Sequence, residues 1–281
     1  MYLDLFRKYL HSHRNIQSGP WKWLFCIKDV LQSNSAQLSF VADQIFLNSK
    51  SDNRLLFRQE DLIQFEINCI NLQHRQDKRI FIEQQFINSD YQFNFFPAID
   101  GSIIDTNRLL LEGILSPNNR CLASKVALKP AQIGVYLSHY ELWKKMLLSP
   151  NKISLVLEDD SLILFDKKTI EQLIRHIPED ADLFFINRRK NKVQPISPYV
   201  SKYIRRFWGL TAYFITQKGA QKLLSLAIPI QKSVDDTISE LNQKGLITCY
   251  CARKELVVEC SNAKDTQNFR FHSDIHDRVV R

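Results

Sequence analysis

The chain has 281 residues, 44% of them hydrophobic and 24% charged, which is enough for one sizeable α/β domain with an appendage and too little for two full-size domains. A formal charge of +8 suits an anionic surface, a phosphorylated acceptor or nucleic acid without choosing among them. Only 7 glycines occur, with neither G-x-G-x-x-G nor G-x-x-x-x-G-K-[ST], so the common Gly-rich phosphate cradles are excluded. No apolar run reaches the about 18 residues that a membrane-spanning helix requires. The first ten residues lack the apolar core of a signal peptide, and the default expectation is a cytoplasmic protein. Basic residues are spread along the chain without a nucleic-acid motif, so nucleic acid is not expected as a partner. Cys26, Cys69, Cys121, Cys249, Cys251 and Cys260 show no zinc spacing and read as reduced, mostly packed thiols.

Residues 1–64 read as an N-terminal extension of helical character, broken at Ser18-Gly19-Pro20 and Ser33-Asn34-Ser35. Its Trp21, Trp23, Leu24 and Phe25 beside Lys22 and Lys28 fit packing on the main domain better than a membrane interface. From residue 65 strands and helices alternate to the end of the chain. A short apolar strand at 67–72 precedes a charged helix at 77–88, then a strand at 91–97 and the turn Ala98-Ile99-Asp100-Gly101. Residues 102–128 read as loop with short helical pieces. Pro130 opens a helix to about residue 148. A buried strand at 153–157, a helix at 167–176 and a strand at 182–186 follow, then the basic loop Arg188-Arg189-Lys190-Asn191-Lys192. A strand at 211–215, helices at 217–226 and 235–244, and strands at 247–251 and 255–258 complete the order. The alternation predicts a mostly parallel sheet flanked by helices over residues 65–281.

Four groups of residues carry candidate chemistry. Glu158-Asp159-Asp160 ends the apolar strand Leu155-Val156-Leu157, where open α/β sheets bind ligands. Along extended backbone Glu158 and Asp160 project to one side, and two carboxylates there suit a hard divalent cation bridging to a diphosphate. A solvent-facing strand end or a helix cap is the plain alternative. Asn71-Leu72-x-x-Arg75-x-x-x-Arg79 runs from the first strand into its helix, with both arginines on one helix face, toward a nucleotide or toward water. Ile133-Gly134-x-x-x-Ser138-His139 places a close-approach glycine and two polar groups early in the Pro130 helix, though a lone histidine is more often structural. Val234-Asp235-Asp236 opens a later helix, where Asp235 reads either as an N-terminal cap or as a general base.

In this order the segments Ile70-Asn71-Leu72-Gln73-His74-Arg75, Phe96-Pro97-Ala98-Ile99-Asp100-Gly101, Gln132 to His139, Val156 to Asp160, Thr211 to Ile215 with Gly219-Ala220, Pro229 with Val234-Asp235, and Ser273-Asp274-Ile275 resemble glycosyltransferase family 25. The resemblance spans about residues 66–276. It implies a GT-A-type, Rossmann-like fold and an inverting transfer of a hexose, galactose above all, from a UDP-sugar (UDP-galactose) with Mn2+ or Mg2+. It further implies a lipooligosaccharide (lipopolysaccharide) or other glycan acceptor. A protein acceptor and a non-catalytic glycan-binding relative are the alternatives. Glu158 and Asp160 then take the metal, and Asn71, Leu72, Arg75, Arg79, Asp100, Gly101, Ser138, His139 and Glu158 the donor side. Asp159 and Asp235 are the candidate catalytic acids. Gln73 and Gln132 stand where many relatives carry acids, which bears on donor and acceptor choice. The basic loop at 188–192 with Lys202, Arg205 and Arg206 is a candidate peripheral contact with an anionic membrane.

Overall fold

The computed structural model describes residues 55–58, 63–87, 89, 91, 93–187, 193–262 and 271–272. Most of the N-terminal extension, the basic loop at 188–192 and Ser273-Asp274-Ile275 lie outside the described residues. Residues 50–259 form one compact unit. Within it Leu56 N–H donates to the Ile177 carbonyl at 2.8 Å and Phe57 is buried, so the segment Leu55 to Arg58 belongs to the body of the fold. In the second unit the described residues are Cys260 and two short parallel strands, β11 (Ser261–Asn262) and β12 (Phe271–His272).

The strands of the main unit are β1 (Phe65–Asn71), β2 (Phe93–Pro97), β3 (Ile153–Glu158), β4 (Ser161–Ile163), β5 (Leu183–Phe185), β6 (Val193–Pro195), β7 (Val200–Tyr203), β8 (Ala212–Thr216), β9 (Cys249–Ala252) and β10 (Val257–Glu259). Its helices are α1 (Gln76–Phe86), α2 (Thr106–Leu111), α3 (Pro130–Leu147), α4 (Lys167–Ile174), α5 (Gln217–Leu226) and α6 (Val234–Gln243), with a 3-10 turn at Gly101–Ile103. Eight strands form one sheet in the order β2-β1-β3-β8-β5-β9-β7-β6. Pairing is parallel for β2/β1, β1/β3 and β5/β9 and antiparallel for β3/β8, β8/β5, β9/β7 and β7/β6. Strand direction is therefore shared by all but β7 and β8, the mostly parallel α/β architecture of GT-A type expected from the sequence.

Both faces of the sheet are covered, which is why its central strands read as unbroken apolar runs. Val156, Leu183, Phe185, Tyr213 and Ile215 meet α3, α5 and α6 through Ile133, Tyr136, Trp143, Leu223 and Ile238 in one core. The alternate residues Leu155, Leu157, Phe184 and Phe214 are equally buried, as the two-residue period of a strand requires when both sides are packed. Cys69, Cys249 and Cys251 are buried inside this packing.

The turn after β2 and the start of α3 meet through two glycines. A Cβ on Gly134 would sit 2.6 Å from the Ile99 carbonyl oxygen, and one on Gly101 would sit 2.4 Å from that of Pro130. Ser138 completes this junction: its hydroxyl donates to the Gly134 carbonyl at 2.7 Å and accepts from Ile99 N–H at 2.8 Å. Gly134→Ala therefore forces backbone apart and is expected to cost about 2 kcal/mol, the scale of core overpacking. Urea unfolding measures it, and a midpoint equal to wild type contradicts the close approach.

Candidate active site

The parallel register sets the carboxyl ends of β2, β1 and β3 side by side, with Asn71 opposite Pro97 and Ile70 opposite Glu158. β3 ends at Glu158, and Asp159 and Asp160 form a turn into β4. The extended alternation that placed Glu158 and Asp160 on one side therefore stops at Glu158, and the turn sets the directions of the two aspartates. Glu158 N–H donates to the Thr211 carbonyl at 2.9 Å, and the same carbonyl accepts Ser161 Oγ at 2.9 Å. The start of β8 thus clamps both sides of the acidic turn.

Helix α1 holds the turn from the other side. Lys78 Nζ lies 2.8 Å from Asp159 Oδ1 and 3.9 Å from Asp160 Oδ2, with the lysine only 4% exposed. A lysine in the first turn of a helix opposes the helix dipole; here a buried carboxylate compensates. Asn71 Nδ2 donates to Asp159 Oδ2 at 2.9 Å, so both oxygens of that acid are engaged. One helical span later Gln85 accepts from Ile163 N–H at 2.8 Å and donates to the Ser161 carbonyl at 3.0 Å. Asp159 is a structural anchor in this arrangement. The same acids, after burial, push the Cys69 thiol up, and it stays un-ionised.

Glu158 is held differently. Its side chain is 28% exposed, and Oε1 lies 3.6 Å from Nε2 of His139, which is 1% exposed. His139 Nδ1 is 2.8 Å from the Tyr213 hydroxyl, which also accepts Trp143 Nε1–H at 3.1 Å. His139 Nε2 and Thr211 Oγ1 are buried and make no hydrogen bond among the described residues.

The remaining candidates fall in three places. Asp100 caps the 3-10 turn, accepting from Ser102 N–H at 2.8 Å and Ser102 Oγ at 2.7 Å, which lowers its carboxyl pKa; His74 Nδ1 lies 3.6 Å away. Leu72 begins the turn into α1, its carbonyl accepting Arg75 N–H at 2.8 Å. Arg75 forks onto Asp77 at 2.9 and 2.8 Å, and Arg79 bonds Glu83 at 3.2 Å with its guanidinium 4.0 Å above the Phe95 ring. Both arginines thus have contacts along α1 and β2. Gly101 and Ser138 serve the β2–α3 junction.

Asp235 binds the loop that leads into β8: Oδ2 accepts Gly209 N–H at 3.1 Å and Oδ1 accepts Asp236 N–H at 2.9 Å. Two residues along that loop, Thr211 meets Glu158. Asp236 pairs with Arg206, and Lys202 on β7 lies 5.3 Å above the Tyr250 ring, so these two cations have separate settings. Lys78 and Trp143 escaped the sequence reading, and Thr211 and Tyr213 entered it only within a resembling segment, with no role of their own. Tyr213 carried a signal, since a tyrosine inside a fully apolar strand requires a partner for its hydroxyl.

Among the described residues no group of three or more His, Cys, Asp or Glu side chains is arranged to hold a metal ion. Glu158 and Asp160 nonetheless offer hard carboxylate oxygens two residues apart in the chain. That set fits a cation whose coordination is completed by substrate phosphates and water rather than by an all-protein cage.

The family model for glycosyltransferase family 25 (LPS biosynthesis protein) matches residues 65–238. The chain belongs to glycosyltransferase family 25. It is 30% identical over 200 residues to procollagen galactosyltransferase 1-B of Xenopus laevis, covering 66% of this chain and 32% of that protein. It is also 30% identical over 200 residues to procollagen galactosyltransferase 2 of Homo sapiens, covering 66% of this chain and 31% of that one. The chain thus spans about a third of the length of these relatives. A crystal structure of the galactosyltransferase LgtC with donor and acceptor sugar analogues aligns with a TM-score of 0.37 at 15% identity, over 66% of this chain and 71% of that one. The matched family region contains β1, the acidic turn, His139 and Asp235.

Lys78→Met leaves the Asp159 carboxylate buried without that ammonium and is expected to lower stability by about 3 kcal/mol. Denaturant titration measures the loss. A change no larger than that of an exposed ion pair, about 0.5 kcal/mol, contradicts an anchoring role.

Proposed function

We propose that this family 25 protein is an inverting glycosyltransferase that moves a hexose, galactose first among candidates, from a UDP-sugar to a glycan acceptor. The observation that carries the proposal is the acidic turn at the carboxyl end of β3, braced by α1 and β8 beside the carboxyl end of β1. In open α/β sheets that is the ligand crevice. The procollagen galactosyltransferases among its relatives favour galactose as the sugar and bring in a protein acceptor as a second reading. The lipopolysaccharide role named in the family description favours lipooligosaccharide. Among the described residues no helix is long and apolar enough to cross a membrane. Contact with an anionic membrane and cytoplasmic residence belong to the lipooligosaccharide reading.

In the proposed reaction an acceptor hydroxyl oxygen forms a bond to the anomeric carbon from the face opposite the leaving group. The bond from that carbon to the diphosphate breaks, UDP departs with the electron pair, and the hydroxyl proton passes to a carboxylate. Asp235, partly exposed and tied to the loop that runs to Thr211, is our candidate for that carboxylate. Asp159, saturated by Lys78 and Asn71, is assigned to holding the turn. Glu158 and Asp160 would hold Mn2+ or Mg2+, which when bound neutralises charge on the departing diphosphate as a Lewis acid.

A screen of several UDP-sugars by UDP release, with manganese present, tests the reading, and UDP-galactose is the expected substrate. Asp160→Ala is expected to lower kcat/KM by at least about 100-fold while melting as the wild type does. Full activity in that variant with added manganese would remove the proposed role of the acidic turn.

A further inference from the structure

We infer that His139 is a positioning residue for Glu158, its imidazole locked by Trp143 and Tyr213 in the Nε2–H tautomer so that the proton is presented to the carboxylate. The inference deepens the proposed donor site; only its kinetic arm rests on that proposal.

The direction of the relay follows from donor and acceptor chemistry. Indole nitrogen can only donate, so the 3.1 Å contact makes the Tyr213 oxygen an acceptor from Trp143. The phenol has one proton to place, and His139 Nδ1 at 2.8 Å is its other partner among the described residues. Burial, and the negative Glu158 nearby, push the Tyr213 pKa up, so the phenol keeps that proton. If Nδ1 receives it, a neutral imidazole carries its own hydrogen on Nε2, and that atom faces Glu158 Oε1 at 3.6 Å. The opposite tautomer would strand the buried phenol proton. It would also point a bare Nε2 lone pair at a carboxylate.

At 3.6 Å the Nε2–Glu158 contact is longer than a hydrogen bond, and Nε2 is buried without a partner among the described residues. The exposed part of this pair is Glu158. A sub-ångström swing of its carboxylate closes the gap, and hydrogen bonds of this kind shorten when substrate binds. Glu158 N–H is already tied to Thr211, so the backbone is set and the histidine selects the side-chain direction. One carboxylate oxygen is steadied and the other is left to face a ligand, the arrangement by which an outer partner orients a ligating group.

The test uses the full chain and two substitutions that each copy one ring nitrogen. His139→Gln carries an amide at the position of Nε2, and His139→Asn carries one at the position of Nδ1. Nitrogen–proton correlation NMR of the imidazole reads the tautomer without reference to activity. The expected result is a protonated Nε2 and a bare Nδ1 in the wild type, with the preference lost in Tyr213→Phe. A protonated Nδ1 in the wild type overturns the inference. With the sugar donor found by the UDP-release screen, His139→Asn is expected to lower kcat/KM about tenfold or more, and His139→Gln to restore most of it. Both variants should melt alike. Asparagine equal to wild type, or asparagine and glutamine equally impaired, overturns the positioning role. A wild-type protein that transfers no sugar from any donor defeats the proposed function instead, and the tautomer measurement still decides the inference.

Discussion

The arrangement of the site depends on one buried ion pair, Lys78 with Asp159. A strand that ends in three acids repels itself, and burial increases the cost of each charge. Lys78 offsets it from the first turn of α1, a place where the helix dipole disfavours a cation. Asn71 completes the second oxygen of Asp159, so the carboxyl end of β1, the start of α1 and the end of β3 share one hydrogen-bonded knot. Gln85 carries the same helix onto β4. The turn is thereby held on both flanks, and a carboxylate that moved would break contacts with three elements.

Around the anchored acid the neighbouring carboxylates have separate surroundings. Glu158 is partly exposed and faces a histidine whose other nitrogen is engaged by a tyrosine. Asp235, on α6, meets the same region through the loop between β7 and β8. By contrast Asp182 precedes β5, at the other end of the sheet, and pairs with Lys222 while accepting Thr248 N–H. Acids at the two ends of the sheet thus have different company. At the amino end an acid is joined to an ordinary helix–strand seam. At the carboxyl end Glu158, Asp159 and Asp160 gather at one strand end and its turn.

The central strands and long helices were legible because fully buried strands leave apolar runs and Pro130 marks a helix start. β4, β6 and β7 were not. They are three or four residues long, and Val193-Gln194-Pro195 has neither length nor apolar content to separate it from loop. The acidic turn was found, but its geometry was misread where alternation was carried past Glu158. Arg79 and Ser138 show a second limit. Helical spacing places side chains on a face but cannot tell that Phe95 or the Ile99 amide waits there. Lys78 was invisible for the converse reason, since a lysine in a charged helix reads as solvated until its partner on a distant strand is known.

The central claim is that the end of β3 seats the cation and diphosphate of a sugar-nucleotide donor. Anomalous diffraction from crystals soaked with Mn2+ and UDP tests it most directly. The account predicts a manganese peak between the Glu158 and Asp160 carboxylates, bridging to the diphosphate oxygens. A UDP molecule bound elsewhere, or manganese seated away from both acids while UDP occupies the crevice, would contradict it.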